Sequence, residues 1–147
     1  ARKLGGSGED VIVVSVDGNC KGYNDRVREL SKYLRPDDWF QNRILYAVPD
    51  PHIERWYLMD QKALKDGIGL DKPPEMPPYK CKKAYYKEVL SQSLHEAGIQ
   101  SLLGGPEYAE KIIENISDLR LFAEKNTGLE KFLQDLRRVF REKYRPN

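Results

Sequence analysis

Hydrophobic and polar positions divide this chain into a front part that alternates strand with helix and a back part that is nearly all helix. Val11, Ile12, Val13 and Val14 form a contiguous β-branched run, which reads as a strand buried on both faces, the kind found in parallel sheets. It ends in Asp17-Gly18-Asn19. A glycine-punctuated turn, Cys20-Lys21-Gly22-Tyr23, precedes a helix that Asn24 or Asp25 caps, with Val27, Leu30, Tyr33 and Leu34 at helical spacing and Arg35-Pro36-Asp37-Asp38 as its stop. A second apolar run, Ile44-Leu45-Tyr46-Ala47-Val48, follows. Strand, helix, strand at this spacing predicts a βαβ unit with a right-handed crossover, so both strands end on the same sheet edge.

Beyond the second strand, Asp50 and Pro51 suit the N-cap and first position of a helix that starts at that edge, with Ile53, Trp56, Tyr57 and Asp60 on one face and Glu54 in the first turn. Neighbouring strands would bring the Glu54 carboxylate close to Asp17. Residues 61–68 extend this helix or form a short second one. Residues 69–81 contain Pro73, Pro74, Pro77 and Pro78 and predict an ordered loop or lid, because proline lacks the backbone donor that a helix interior needs. Helices are expected over 82–97, from Pro106 to about Ile116, over a short segment from Leu119, and from a Thr127 cap along a face of Leu129, Phe132, Leu133, Leu136, Val139 and Phe140. The expectation is one domain over 1–147: a flexible lead over 1–10, the βαβ unit and acidic-motif helix over 11–68, the proline-rich loop over 69–81 and a helical part over 82–147. A chain that opens in loop directly before a strand also reads as a piece of something longer.

Composition narrows the class without naming a function. With 147 residues, 39% hydrophobic and 33% charged, the chain is large enough to bury a core unaided. No apolar run approaches the ~20 residues of a membrane span, so a membrane role is excluded and a cytoplasmic protein is expected. The 25 basic and 23 acidic residues leave +2, which by itself favours no nucleic-acid partner, because only clustered charge makes an attractive field. The two cysteines, Cys20 and Cys81, match no metal spacing and read as reduced thiols.

Candidate chemistry gathers at the strand ends. Residues two apart on a strand point to the same side, so Asp17 and Asn19 converge where open α/β sheets place their ligands. With Glu54, and Asp50 as a further candidate, they form an oxygen-donor set suited to Mg²⁺, substrate phosphates filling the remaining positions. The same residues also read as a turn and as a carboxylate favoured by a helix dipole. His52 reads as a base or ligand, or else as a first-turn residue facing solvent. Trp56 and Tyr57 read as core before they read as a stacking platform. Lys80, Lys82, Lys83 and Lys87, interleaved with Tyr79, Tyr85 and Tyr86, suit a nucleic-acid backbone and its bases, or form a solvated basic face. Arg137, Arg138, Arg141, Lys143 and Arg145 suit the negative end of the last helix, which needs no ligand.

Taken together, Val16-Asp17-Gly18-Asn19, the following Asp25-Arg26-Val27-Arg28-Glu29-Leu30, the block from Val48-Pro49-Asp50-Pro51-His52-Ile53-Glu54 to Asp60, and the tail with Gly105-Pro106 and Leu129-Glu130-Lys131-Phe132 resemble the Toprim-like proteins of bacteria and archaea. The closest likeness is to a small Toprim-related group carrying a P-x-I-E-x-W-x-L-x-D block. The resemblance implies an α/β fold with a parallel βαβ core in a Rossmann-like sheet and a mostly helical C-terminal half. It also implies a Mg²⁺ site, with Mn²⁺ as the substitute, used for nuclease-type phosphodiester cleavage or phosphoryl transfer on DNA or RNA. Asp17 would match one acid of the metal-binding pair and Asn19 the other, and Glu54 would be the acid of the later block, expected as metal ligand and catalytic group; His52, read from its own position, is the further catalytic candidate. The second acid of the pair is an amide here, and the family's upstream glutamate strand would lie before Ala1. Either an N-terminal piece, or a second copy of the chain, completes the domain, or catalysis has been lost. The alternative function is a non-catalytic binding or regulatory α/β protein with a degenerate metal site.

Overall fold

The structure, a computed structural model, describes residues 11–33 and 43–143. Strand β1 (Ile12–Ser15) pairs in parallel with β2 (Ile44–Ala47), Ile12 opposite Ile44 and Ser15 opposite Ala47. Helix α1 (Gly22–Ser31) lies between them in sequence, so the expected βαβ unit is present. Pairing continues past the strands. The N–H of Val16 donates to the Ala47 carbonyl at 3.2 Å, that of Gly18 to Pro49 at 2.7 Å and that of Asn19 to Pro51 at 2.9 Å. The two chain segments are thereby zipped together up to the acidic turn.

Burial of the two strands differs from the expectation. β2 is the buried one, with Leu45 and Val48 fully covered, whereas β1 alternates and Val13 is 51% exposed. A contiguous β-branched run favours a strand but cannot supply a cover for both its faces. Among the described residues β1 has a neighbouring strand on one side only.

The remaining regular elements among the described residues are helical: α2 (Ile53–Leu58), α3 (Gln61–Ile68), α4 (Tyr85–Glu96), a single 3₁₀ turn (Pro106–Tyr108) running into α5 (Ala109–Glu114), α6 (Leu119–Glu124) and α7 (Thr127–Lys143). Helix α2 straddles two apolar clusters. Leu58 packs with Leu64, Tyr86, Leu90, Leu94 and Ile112, while Trp56 and Met59 pack with Ala47, Phe122, Leu129 and Leu133. Trp56 and Tyr57 thus belong with the core, Tyr57 at its margin. Among the described residues no helix is long and apolar enough to cross a membrane.

Several helix starts move from their predicted places. α1 begins at Gly22 with Lys21 as N-cap, and Asp25 falls in its first turn; its predicted stop at residues 35–38 lies outside the described residues. α4 begins at Tyr85 and not at Lys82, because Ala84 takes a left-handed φ of 63° that breaks the helical path. The α7 cap is Asn126 and not Thr127. The Asn126 side-chain oxygen accepts from the Leu129 N–H at 3.1 Å and from the Trp56 indole at 3.2 Å. Gly128 follows because a Cβ there would strike the Val48 carbonyl, so glycine lets the first turn of α7 press against the end of β2.

Candidate functional site

The parallel pairing puts the end of β1 against the start of α2. Asp17 Oδ1 accepts the N–H of Ile53 at 3.1 Å, satisfying a first-turn donor that α2 cannot satisfy itself. The predicted Asp50 cap is therefore corrected. His52 occupies the N-cap position in extended conformation with no side-chain cap bond, and the carboxylate that serves the helix arrives from the neighbouring strand. Asp50 instead turns toward α1: its Oδ1 accepts the Gly22 N–H at 3.3 Å and its Oδ2 accepts the Tyr79 hydroxyl at 2.8 Å. Gly18 leaves the space this needs, since a Cβ there would strike Asp50 Oδ1.

The strand pairing brings Asp17 to the first turn of α2, which carries Glu54. Both act on Tyr57, whose hydroxyl pKa is raised by burial first and then by the charges of Glu54 and Asp17. The Glu54 carboxylate and the His52 ring make no hydrogen bond or ion pair among the described residues. Asn19 is exposed. Its amide nitrogen lies 3.5 Å from the Asp17 carbonyl, and its φ of 49° carries the chain into the turn.

The cysteines depart from the expected free thiols. Cys20 and Cys81 are joined in a disulfide, with Cα atoms 5.7 Å apart, inside the span such a bond allows. The bond fastens the proline-rich segment across the strand edge. Tyr79 reinforces it from within: its hydroxyl holds Asp50, and its ring lies 5.2 Å from the Arg55 guanidinium carbon. Burial, then the bond to Asp50, raises the Tyr79 hydroxyl pKa. The start of the basic stretch is thereby tied to the turn after β1. Lys80 stacks on the Tyr85 ring at 4.8 Å, while Lys82, Lys83 and Lys87 are exposed.

Next to Asp50 opens a cavity of about 580 Å³ between the first turns of α1 and α7. Arg55 and Lys125 line it, and the sequence reading singled out neither. No periodic signal could have done so, because the wall is assembled from α1, α2, the segment after β2 and the α6–α7 junction.

As a metal centre the edge is sparse. Among the described residues no group of three or more His, Cys, Asp or Glu could hold an ion. With both Asp50 oxygens engaged, the available donors are the second oxygen of Asp17 and the carboxylate of Glu54. Mg²⁺ commonly takes one or two carboxylates and completes its shell with water and substrate phosphate. The residues therefore fit Mg²⁺ in the company of a phosphate and not as a preformed cage.

Comparison with protein-family models, characterised proteins and solved structures returns no match for this chain. What stands is a mixed α/β chain with a two-stranded parallel sheet and seven α-helices among the described residues.

Proposed function

We propose that the strand-edge acids act on a phosphodiester of a nucleic acid, DNA or RNA, as in a Toprim-type nuclease, with Mg²⁺ or Mn²⁺ bound only together with substrate. One observation supports this reading: the Asp17 carboxylate is bonded to the backbone of the helix turn that carries Glu54, which ties one acid to the segment bearing the other. In this reading Asp17 and Glu54 hold the ion, whose contribution when bound is to polarise the phosphoryl oxygen. Glu54, whose carboxylate makes no hydrogen bond among the described residues, orients the attacking water, and His52 moves a proton at the leaving oxygen. Asn19 stands at the rim as a hydrogen-bonding amide. Lys80, Lys82, Lys83 and Lys87 supply cations for the strand backbone.

The test uses labelled single- and double-stranded DNA and RNA with Mg²⁺ or Mn²⁺. The wild type cleaves at least one substrate, and Glu54→Gln and Asp17→Asn each lower the rate by about 100-fold, the scale of a lost acid–base group. Asn at position 17 keeps an acceptor for the Ile53 N–H, so loss of activity reports the charge and not the cap. Cleavage unchanged in both variants, or none by the wild type with either ion, overturns the proposal. The use of Asp17 as a cap and the exposure of Asn19 favour a second reading, a binding module without chemistry. In that case nucleic acid raises the melting temperature and adding Mg²⁺ raises it no further.

A further inference from the structure

We infer that the cavity beside Asp50 is a phosphate-binding pocket, holding a terminal phosphate through Arg55, Lys125 and the first-turn N–H groups of α7. This goes beyond the metal reading, because the pocket binds its ligand without any divalent ion.

The charge inventory of the wall points to a missing anion. Lys21 is closed by Glu29 at 2.8 Å and Arg28 by Asp25 at 3.3 Å. Arg55 and Lys125 are not closed in this way. Arg55 Nη1 reaches only the Asp50 carbonyl at 3.2 Å, and Lys125 Nζ only the Met59 carbonyl at 3.4 Å, so neither forms an ion pair among the described residues. Arg55 Nε is moreover buried with no hydrogen-bond partner. That Nε is closed off from solvent, so in this proposal the phosphate meets Arg55 through its terminal Nη groups.

The remaining groups fit the same ligand. The Asn126 side chain caps the Leu129 N–H of α7, and Thr127 and Gly128, residues of the cavity wall, have N–H groups with no acceptor within their helix. The Asp50 carboxylate also faces this space, but both of its oxygens are held by neutral donors, Gly22 N–H and the Tyr79 hydroxyl. A guanidinium, an ammonium and backbone N–H groups approaching from separate elements ask for several acceptor oxygens on one centre. A phosphate meets that demand in three dimensions, where a planar carboxylate offers two oxygens.

The test is calorimetric titration in EDTA with inorganic pyrophosphate, a nucleoside 5′-monophosphate, and a short single-stranded DNA with or without a 5′ phosphate. Lys125→Gln is expected to weaken binding about tenfold, the loss of one charge-assisted contact. Arg55→Lys, which keeps the charge but loses the fork, weakens it as well, and Lys62→Gln on the far helix α3 leaves it unchanged. Binding by pyrophosphate and monophosphate alone assigns a free nucleotide; binding by 5′-phosphorylated DNA over its unphosphorylated twin assigns a strand end. No binding in any arm, equal binding of the two DNAs with none of the small phosphates, or binding indifferent to both Lys125→Gln and Arg55→Lys overturns the inference. Because no ion is present and no cleavage is read, phosphate binding alongside failed cleavage removes only the nuclease proposal. Cleavage without Lys125-sensitive binding removes only this one.

Discussion

Two regions of this molecule are organised by carboxylates accepting backbone N–H groups, and they use them in opposite ways. In the loop before the 3₁₀ turn, Glu107 accepts from the Ser101 hydroxyl at 2.6 Å and from the N–H groups of Leu102, Leu103 and Gly105 at 2.9, 3.1 and 3.1 Å. One side chain folds the whole loop, and nothing of it is left over. At the strand edge Asp17 makes one such bond, Glu54 makes none among the described residues, and Arg55 keeps a buried donor unpaired. A saturated carboxylate is a structural element. Unfilled bonds on held groups mark a place prepared for something else.

The sharpest way to break this contrast is to remove what holds the edge from outside. The loop around Glu107 is closed by its own side chain, whereas the edge is fastened by a disulfide spanning 61 residues. Closing a loop of that length restricts the unfolded chain by about 4 kcal/mol. Replacing both Cys20 and Cys81 by serine is expected to lower the melting temperature by roughly 10 °C, at a few degrees per kcal/mol for a chain of this size. Hydrogen exchange should quicken at residues 18–21 and 79–81 and stay unchanged at 101–107. A melting temperature unmoved by the double substitution would mean that the edge holds itself as the Glu107 loop does.

Acid addresses the other region. The Ser101 hydroxyl, helped by backbone N–H groups, lowers the Glu107 pKa from 4.5 to about 2. The bonded form is the charged one, so the stability it confers is complete above pH 4.5 and disappears as the pH falls from there toward 2. Glu107→Gln is therefore expected to melt below the wild type at pH 6. The gap should narrow below pH 4.5 and close near pH 2, as followed by circular dichroism across that range. A gap of constant size would show that the loop depends on the shape of the side chain and not on its charge.

These contrasts were only partly written in the sequence. The apolar runs at 11–14 and 44–48 carry the two strands, and their spacing carries the crossover, because strand propensity and connection length are local properties. That alone was enough to place Asp17 beside the helix of Glu54. Burial of β1 was not legible, since it depends on what stands across its faces. The caps failed for a related reason. Asp50, His52 and Asp17 could each serve α2, and only the pairing of the strands decides for Asp17; at α7, Asn126 and Thr127 are equally good caps until Trp56 claims the former. Cys20 and Cys81 carry no local sign of pairing, because their meeting depends on the path of the proline-rich segment. Arg55 and Lys125 sit on elements 70 positions apart, so a shared cavity leaves no periodic trace. Glu107 was overlooked although a carboxylate just after Gly104-Gly105-Pro106, where backbone donors are free, is a local signal.

The smallest change tests saturation most directly, at Tyr79. Its hydroxyl occupies Asp50 Oδ2, and its ring stays against Arg55 whether or not the hydroxyl is present. Tyr79→Phe removes one hydrogen bond at a half-exposed site, so the expected loss is about 0.5 kcal/mol, a shift of roughly 1–2 °C in melting temperature. The informative result lies in the response to ions. Freeing Asp50 Oδ2 leaves one more carboxylate oxygen open beside the acidic turn. The rise in melting temperature on adding Mg²⁺ should therefore be larger in Tyr79→Phe than in the wild type, a direction fixed by mass action on the folded state. If the two proteins respond equally, the engagement of Asp50 is not what keeps this edge from holding an ion by itself, and bond saturation loses its value as the sign that separates structural from chemical carboxylates in this chain.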